Sequence, residues 1–322
     1  VNRAAFLALP GILALQNDPA QTAASPELRV LLGAGVATDT GNGTFSFNGK
    51  AYRGTFARTP DGSIVNTVDL EAYLYSVVPR EMSRSWPAAA LQAQAVCART
   101  YVLQRSDPRR AYDVVTSESD QVYEGIAAES PAGRAAVDAS QGLVLRYGAG
   151  FAQIMYSSCC GGHTEASSEA WGGAPFAYLG GVVCTHCTAS PYYRWQRELD
   201  LAVVAAAFAR ELEPFGSLVS AQVGAADASG RARMVELVAQ RGSAFIKGGA
   251  FRARIGARVL PSLLITKMNV SAEAPERIAI EGGGLGHGVG LCQWGARGMA
   301  LEGALSTDIL NLYFPGTMIG HD

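Results

Sequence analysis

One carboxylate, Glu81, stands in the run Val77-Val-Pro-Arg-Glu-Met82, between two stretches of helical periodicity. A lone acid can break a bond between two sugars when the sugar supplies its own nucleophile. An internal hydroxyl then replaces both the water and the second carboxylate that hydrolysing glycosidases need. To donate a proton near neutral pH, such a group needs a pKa raised by partial burial.

A second group of residues has the spacing of a metal site. Cys160-Gly-Gly-His163 and Cys184-Thr-His-Cys187 form two short ligand pairs twenty residues apart. Cys160, His163, Cys184 and Cys187 would close a tetrahedral zinc shell with no open position for water, so its expected role is to staple a loop. Oxidation of Cys160 with Cys184 or Cys187 is the competing reading. His186 and Cys159 are possible substitutes in the shell, although neighbours of ligands are more often bystanders. Cys97 and Cys292 are expected to be small buried hydrophobes.

The third constellation is Gly282-Gly-Gly-Leu-Gly-His-Gly-Val-Gly290, followed by Leu291-Cys-Gln-Trp-Gly-Ala296. Glycine at this density lets backbone approach a ligand closely. A nucleotide loop is disfavoured, because no Lys-Ser or Lys-Thr follows and no βαβ pattern surrounds it. His287, Gln293 and Trp294 instead offer a ring face and hydrogen-bonding groups suited to a sugar groove. No Ser/His/Asp triad is evident, since no Gly-x-Ser-x-Gly elbow follows a strand.

The elements that must position these groups follow from periodicity. Residues 27–68 alternate short β-type runs with turn clusters and predict a small antiparallel module. At Asp69, an expected N-cap, the period changes: Leu70, Tyr73, Leu74 and Val77 form a helical stripe that Pro79 is expected to stop. A second helix is expected from about Ser85, with Leu91, Ala95, Ala98 and Val102 as its apolar stripe, which leaves Glu81 on the connection. Beyond Tyr112 strands are expected at residues 112–116, 142–146, 151–156 and 258–265. Helices are expected at 132–140 and 201–212, and a loop at 221–230. His321, near the chain end, is expected to be disordered. The whole reads as α+β, one domain over residues 26–322, with a β module at 26–68 and the core that carries the site at 69–322.

Charged residues make up 17% of the 322 residues and the formal net charge is −2. With no Lys/Arg-rich block, nucleic acid is not the expected partner, and the composition suits a neutral polymer. Residues 1–25 read as a leader, Val1-Asn-Arg3 followed by an apolar run, and predict export.

Four segments, in order, resemble the stage II sporulation protein D (SpoIID) family and its relatives, the LytB-type amidase enhancers. They are residues 68–101 around Glu81, Asp120-Gln-Val-Tyr-Glu-Gly125, residues 157–164 with Trp171, and residues 284–296. The resemblance implies an α+β SpoIID-like domain in which helices carrying the catalytic glutamate pack on β-rich modules. It implies a lytic transglycosylase acting on peptidoglycan strands already stripped of stem peptides, with Glu81 as acid and then base, or a non-catalytic wall-binding protein that enhances an amidase. Gln121, Tyr123, His287 and Gln293 are the substrate-binding residues it suggests. Leu285 and Cys292 depart from the Trp and Ser frequent in the family's last motif.

Overall fold

The computed structural model describes residues 25–117 and 120–322. The expected leader, residues 1–25, lies outside them apart from Ser25. Among the described residues no helix is long and apolar enough to cross a membrane.

The chain is α+β, built from several small sheets around a helical centre. The expected β module exists as two sheets. Strand Glu27–Ala34 pairs antiparallel with Ser63–Asp69, in register from Glu27 opposite Asp69, and parallel with the short Val114–Val115. Ala37–Gly41, Thr44–Phe47 and Lys50–Arg53 form a separate meander. Helix α1 (Leu70–Glu81) starts at Asp69, whose carboxylate accepts from the Ala72 N–H at 2.9 Å, as the capping pattern predicts. Leu70, Tyr73, Leu74, Val77 and Val78 are all buried, each worth roughly 1.5–3 kcal/mol relative to exposure.

Pro79 does not stop α1. The helix continues to Glu81, and the Met82 N–H still reaches the Val78 carbonyl at 3.0 Å. Proline removes one donor, that of its own nitrogen, so the last turn closes around it. Helix α2 (Ala88–Arg105) follows, with Pro87 as its N-cap. Nearly every residue from Ala90 to Val102 is buried, because α2 runs through the centre of the molecule, and its alanines let neighbours approach closely. Helix α3 (Pro131–Ala139) packs on both.

Two apolar cores result. The larger joins the β module, α1, α2, the cysteine-bearing loops and the C-terminal helices. The smaller lies within residues 195–280, between the sheet of Trp195–Asp200, Arg277–Gly283 and Leu264–Val270 and the sheet of Leu218–Ala226, Ala232–Ala239 and Gly242–Lys247.

Several expected boundaries move. Residues 221–226 are strand rather than loop, since Ala221 turns into this second core, and the turn is confined to Asp227–Gly230. Strand begins at Leu264, not at 258, because residues 256–259 turn instead, with the Val259 and Leu260 N–H groups both donating to the Gly256 carbonyl. His321 is ordered, in strand Met318–His321 against Leu143–Tyr147.

Candidate active site

Glu81 is the last residue of α1, half-buried, at the wall of a cavity of ≈ 1130 Å³. It does not sit on a free connection, so the helix fixes its backbone. Burial raises its pKa above the ordinary value, while the Val122 backbone, Gln293, Tyr156 and the Arg80 charge pull it back. The site therefore has the electrostatic character expected of a proton donor.

A buried ion pair holds α1 on α2. Arg99, 1% exposed, donates from Nε and Nη2 to the two carboxylate oxygens of Glu71 at 2.7 and 2.6 Å, and from Nη1 to the Leu143 carbonyl at 3.0 Å. Thr100 ties α2 in turn to strand Leu143–Tyr147, accepting from the Leu145 N–H at 2.9 Å. The Arg99–Glu71 pair anchors α1 ten residues before Glu81 along the same helix.

The opposite wall is the glycine-rich segment. Tyr156–Ser157 and Leu291–Cys292 form a two-residue parallel bridge, which carries Tyr156 and His287 to the cavity that Glu81 lines. Gly290 has φ +71°, and a Cβ there would collide with the Met155 carbonyl. Glycine is thus needed for the bridge to close. The His287 ring donates from Nε2 to the Tyr156 carbonyl and accepts the Val289 N–H at Nδ1, both at 3.0 Å. That pairing requires the neutral imidazole, and burial pushes its pKa down to about 4. His287 lines the cavity as predicted, but with both nitrogens engaged it offers ring surface rather than proton transfer. Gln293 also lines the cavity and is braced by the buried Gln94, its Nε2 donating to Gln94 Oε1 at 3.3 Å.

Gln121 and Tyr123 are not groove residues. Gln121 is fully buried and accepts from the Tyr73 hydroxyl at 3.0 Å. Tyr123, 2% exposed, donates to Asn66 Oδ1 at 2.9 Å and packs against Tyr52 and Tyr73. Their motif reaches the cavity through Asp120 and Val122, which line its wall. Trp294 also turns away, packing edge-to-face on Trp86 with ring centroids 5.1 Å apart. The exposed ring at the cavity is Trp171, which stands 5.1 Å from His287 and offers a stacking face.

Tyr156 is a site residue that residue-type reasoning passed over. Its hydroxyl is buried without a well-directed hydrogen bond in the protein, and burial together with the Glu81 charge drives its pKa well above the usual phenol value. The available signal is its place directly before the Ser157 motif.

The metal prediction needs one correction. The four side chains whose ligand atoms converge are Cys160, Cys184, Cys187 and Cys292, all buried, with their ligand atoms within 4.8 Å of one another. His163 is not among them. Gly161 and Gly162, at φ +75° and +117°, turn the chain so that His163 Nδ1 faces the Thr164 carbonyl at 2.6 Å. Cys292 takes its place, delivered from 132 residues beyond Cys160 by the parallel bridge, so it is not an inert hydrophobe. Zinc–sulfur bonds of about 2.3 Å in a tetrahedron place sulfurs about 3.8 Å apart. The Cys160 and Cys187 sulfurs stand 3.7 Å apart. The Cys160 and Gly295 N–H groups point at the Cys292 sulfur at 3.2 and 3.3 Å, and the Tyr313 hydroxyl lies 3.1 Å from Cys184 Sγ. Such donors are the outer partners that a thiolate shell uses. The donor set therefore fits zinc. Helix Gln293–Leu301 starts at Cys292, so the cluster also anchors the Gln293 backbone.

Arg231, 1% exposed, ties the smaller core to this loop, donating to the Cys160 and His163 carbonyls at 2.8 and 3.0 Å and lying 3.5 Å from Glu165. A Cβ at Gly288 would collide with its guanidinium.

Comparison with known proteins agrees with this layout. The family model described as stage II sporulation protein matches residues 60–147, which contain α1, α2 and Glu81, and a domain of unknown function, DUF8618, matches residues 167–290. The chain is 32% identical to an uncharacterized protein of Brachyspira hyodysenteriae, over 88% of this chain and 76% of that protein. It is 28% identical to the stage II sporulation protein D of Bacillus subtilis, over 81% of this chain and 77% of the relative. It is 27% identical to the amidase enhancer of the same organism over 76% of this chain, a match that spans only 40% of the enhancer's length. With its helical pair, its glycine-rich wall and these relatives in agreement, the chain belongs to the SpoIID/LytB family.

Proposed function

We propose that this protein is an exported lytic transglycosylase that cleaves N-acetylmuramic acid–N-acetylglucosamine bonds in peptidoglycan strands stripped of their stem peptides. The observation that carries the reading is Glu81, half-buried at a cavity wall with a raised pKa and with no carboxylate among the groups that raise it. Asp120 is the other acid on the wall, and it accepts from the Tyr101 hydroxyl at 2.7 Å and faces Arg105 at 3.6 Å. It is therefore engaged elsewhere.

Protonated Glu81 donates to the glycosidic oxygen, and the bond from the anomeric carbon to that oxygen breaks with its electron pair leaving on the oxygen. The muramoyl six-hydroxyl oxygen then bonds to the anomeric carbon and returns its proton to Glu81. An anhydro end forms and no water is consumed. Tyr156 and Gln293, beside the carboxyl, steady the ionised state between the two transfers. Trp171 and the His287 ring supply the face on which a sugar stacks. The four cysteines hold zinc as a structural staple beneath Gln293, with no part in the proton transfers.

A second reading rests on the amidase enhancer relative: a wall-binding protein that activates an amidase without cleaving glycan. Incubation with peptide-free strands, followed by mass spectrometry for anhydro ends, separates the two. The enzyme reading expects such ends from the unaltered protein and none from Glu81→Gln. Equal product from both, or product from neither, overturns it.

A further inference from the structure

Arg105 lines two hollows, the cavity of Glu81 and a second one of ≈ 750 Å³. Its guanidinium lies 3.6 Å from the ring centre of Tyr101 and 3.6 Å from Asp120, both on the Glu81 cavity, so the shared ridge is held in place. The chain also passes directly from one hollow to the other. Gln153 lines the second, and Ile154, Met155 and Tyr156 line the first. A step of three residues spans at most about 11 Å between Cα atoms, so the two hollows adjoin along that segment.

The wall of the second hollow carries a ladder of amides. Arg105 Nη1 donates to Gln104 Oε1 at 3.1 Å, and Gln104 Nε2 donates to Gln153 Oε1 at 2.9 Å. A side-chain amide has more donors and lone pairs than this ladder uses. Two of the arginines there are matched by carboxylates, Arg109 by Asp107 at 2.8 Å and Arg105 by Asp120, while Arg110 lies over the Tyr112 ring, 5.9 Å from its centre.

Aromatic rings stand beside the ladder. The Gln153 backbone N–H donates to the hydroxyl of the buried Tyr178 at 2.7 Å, and the Tyr178 ring packs against Tyr147 and Phe176 with centroids 4.7 and 5.8 Å away. Tyr147 is 47% exposed and Phe176 43%, so both rings present surface that internal packing does not use. Amides beside exposed rings suit a polyhydroxyl polymer, because the amides bond hydroxyl and acetamido groups while the rings stack on sugar faces.

We infer that Gln104, Gln153, Tyr147 and Phe176 form a second sugar-binding site, which receives the part of a glycan strand that leaves the Glu81 cavity over Arg105. The inference rests on the reading under Proposed function and extends it: the preferred substrate is a long strand rather than a short fragment, recognised at this site through ring faces, hydroxyls and acetamido groups.

The test is binding, measured by calorimetry on the Glu81→Gln protein so that no turnover intervenes. Its ligands are peptide-free tetrasaccharide and octasaccharide fragments of the strand. The octasaccharide should bind about tenfold or more tightly than the tetrasaccharide, as one stacked ring and an added hydrogen bond predict. Adding Phe176→Ala should bring the two ligands to within about threefold of each other. Gln153→Ala, which keeps the backbone bond to Tyr178, should do the same, and both variants should melt with the parent protein. The gain with length should persist at raised salt, because the ladder and the rings are uncharged. Equal affinity for the two fragments in the Glu81→Gln protein, or a gain that survives both substitutions, overturns the site. A gain abolished by salt assigns the hollow to its arginines and overturns it too. A preference for length in a protein that releases no anhydro ends would refute the proposed enzyme and leave the site standing. Anhydro ends released equally well from both fragments would do the reverse.

Discussion

Arg99 and Glu71 lock helix α2 to helix α1 through two parallel hydrogen bonds of 2.7 and 2.6 Å in the larger core. Neither residue lines the cavity, yet the pair determines where the last turn of α1 places Glu81. Removing one partner leaves the other charged and buried, a loss of about 3–5 kcal/mol. Arg99→Ala and Glu71→Ala should each lower the midpoint of denaturant unfolding accordingly. The double replacement Glu71→Leu with Arg99→Met should recover part of that loss. If each single variant unfolds within 1 kcal/mol of the unaltered protein, by the order-of-magnitude scale for such pairs, the pair is not a structural clamp.

Glu81 gives a pH signature of defined sign. Its folded pKa lies above the ordinary 4.5, because burial disfavours the charged form. A raised carboxyl contributes stability that is full below the unfolded pKa and is lost as pH rises through the folded one. Glu81→Gln should therefore be the more stable protein at neutral pH, with the gap closing as pH falls below the ordinary carboxylate range. Glu165, pushed by burial up to about 8, adds a slope of the same sign to both proteins, so the informative quantity is the difference between them at each pH. The proposed activity needs protonated Glu81 and should fall as pH rises through the same pKa. Gln293→Leu removes an interaction that lowers that pKa and should move the fall to higher pH. A stability gap independent of pH would show that Glu81 titrates normally.

The cysteine cluster predicts its own ligand set. Elemental analysis of gently purified protein should give about one zinc per chain, as expected for a four-thiolate shell. Cys292→Ala should lose the metal, whereas His163→Ala should keep it. Chelation should lower the melting temperature of the unaltered protein and leave that of Cys292→Ala unchanged. Retention of metal in Cys292→Ala together with its loss in His163→Ala would restore the arrangement suggested by spacing alone.

Local patterns in the sequence were enough to find the residues that act at short range. The Asp69 cap, the Leu70-Tyr73-Leu74-Val77 stripe and the α+β alternation follow from interactions within three or four residues, and the structure keeps all of them. Glu81 and His287 were expected at the site from motifs that resemble the family's rather than from local pattern, and the structure places both on the cavity wall. The failures share a cause as well. Gln121 and Tyr123 lie in a motif at the cavity, but both side chains are buried, and Asp120 and Val122 are the members of that motif that line the wall.

By itself the sequence determined that α1, α2 and α3 form, which acid falls between the first two helical patterns, and that several thiols would meet near one loop. Tertiary structure alone decided that Cys292 rather than His163 completes the thiol cluster, and that Trp171 rather than Trp294 faces the cavity. Those choices depend on segments tens to more than a hundred residues apart being brought together by the parallel bridge of Tyr156–Ser157 with Leu291–Cys292 and by Arg231 reaching across the two cores. Hydrophobic period and capping chemistry describe a chain over a few residues. The closing of long loops, and the directions in which glycine turns send side chains, are settled only when the cores pack.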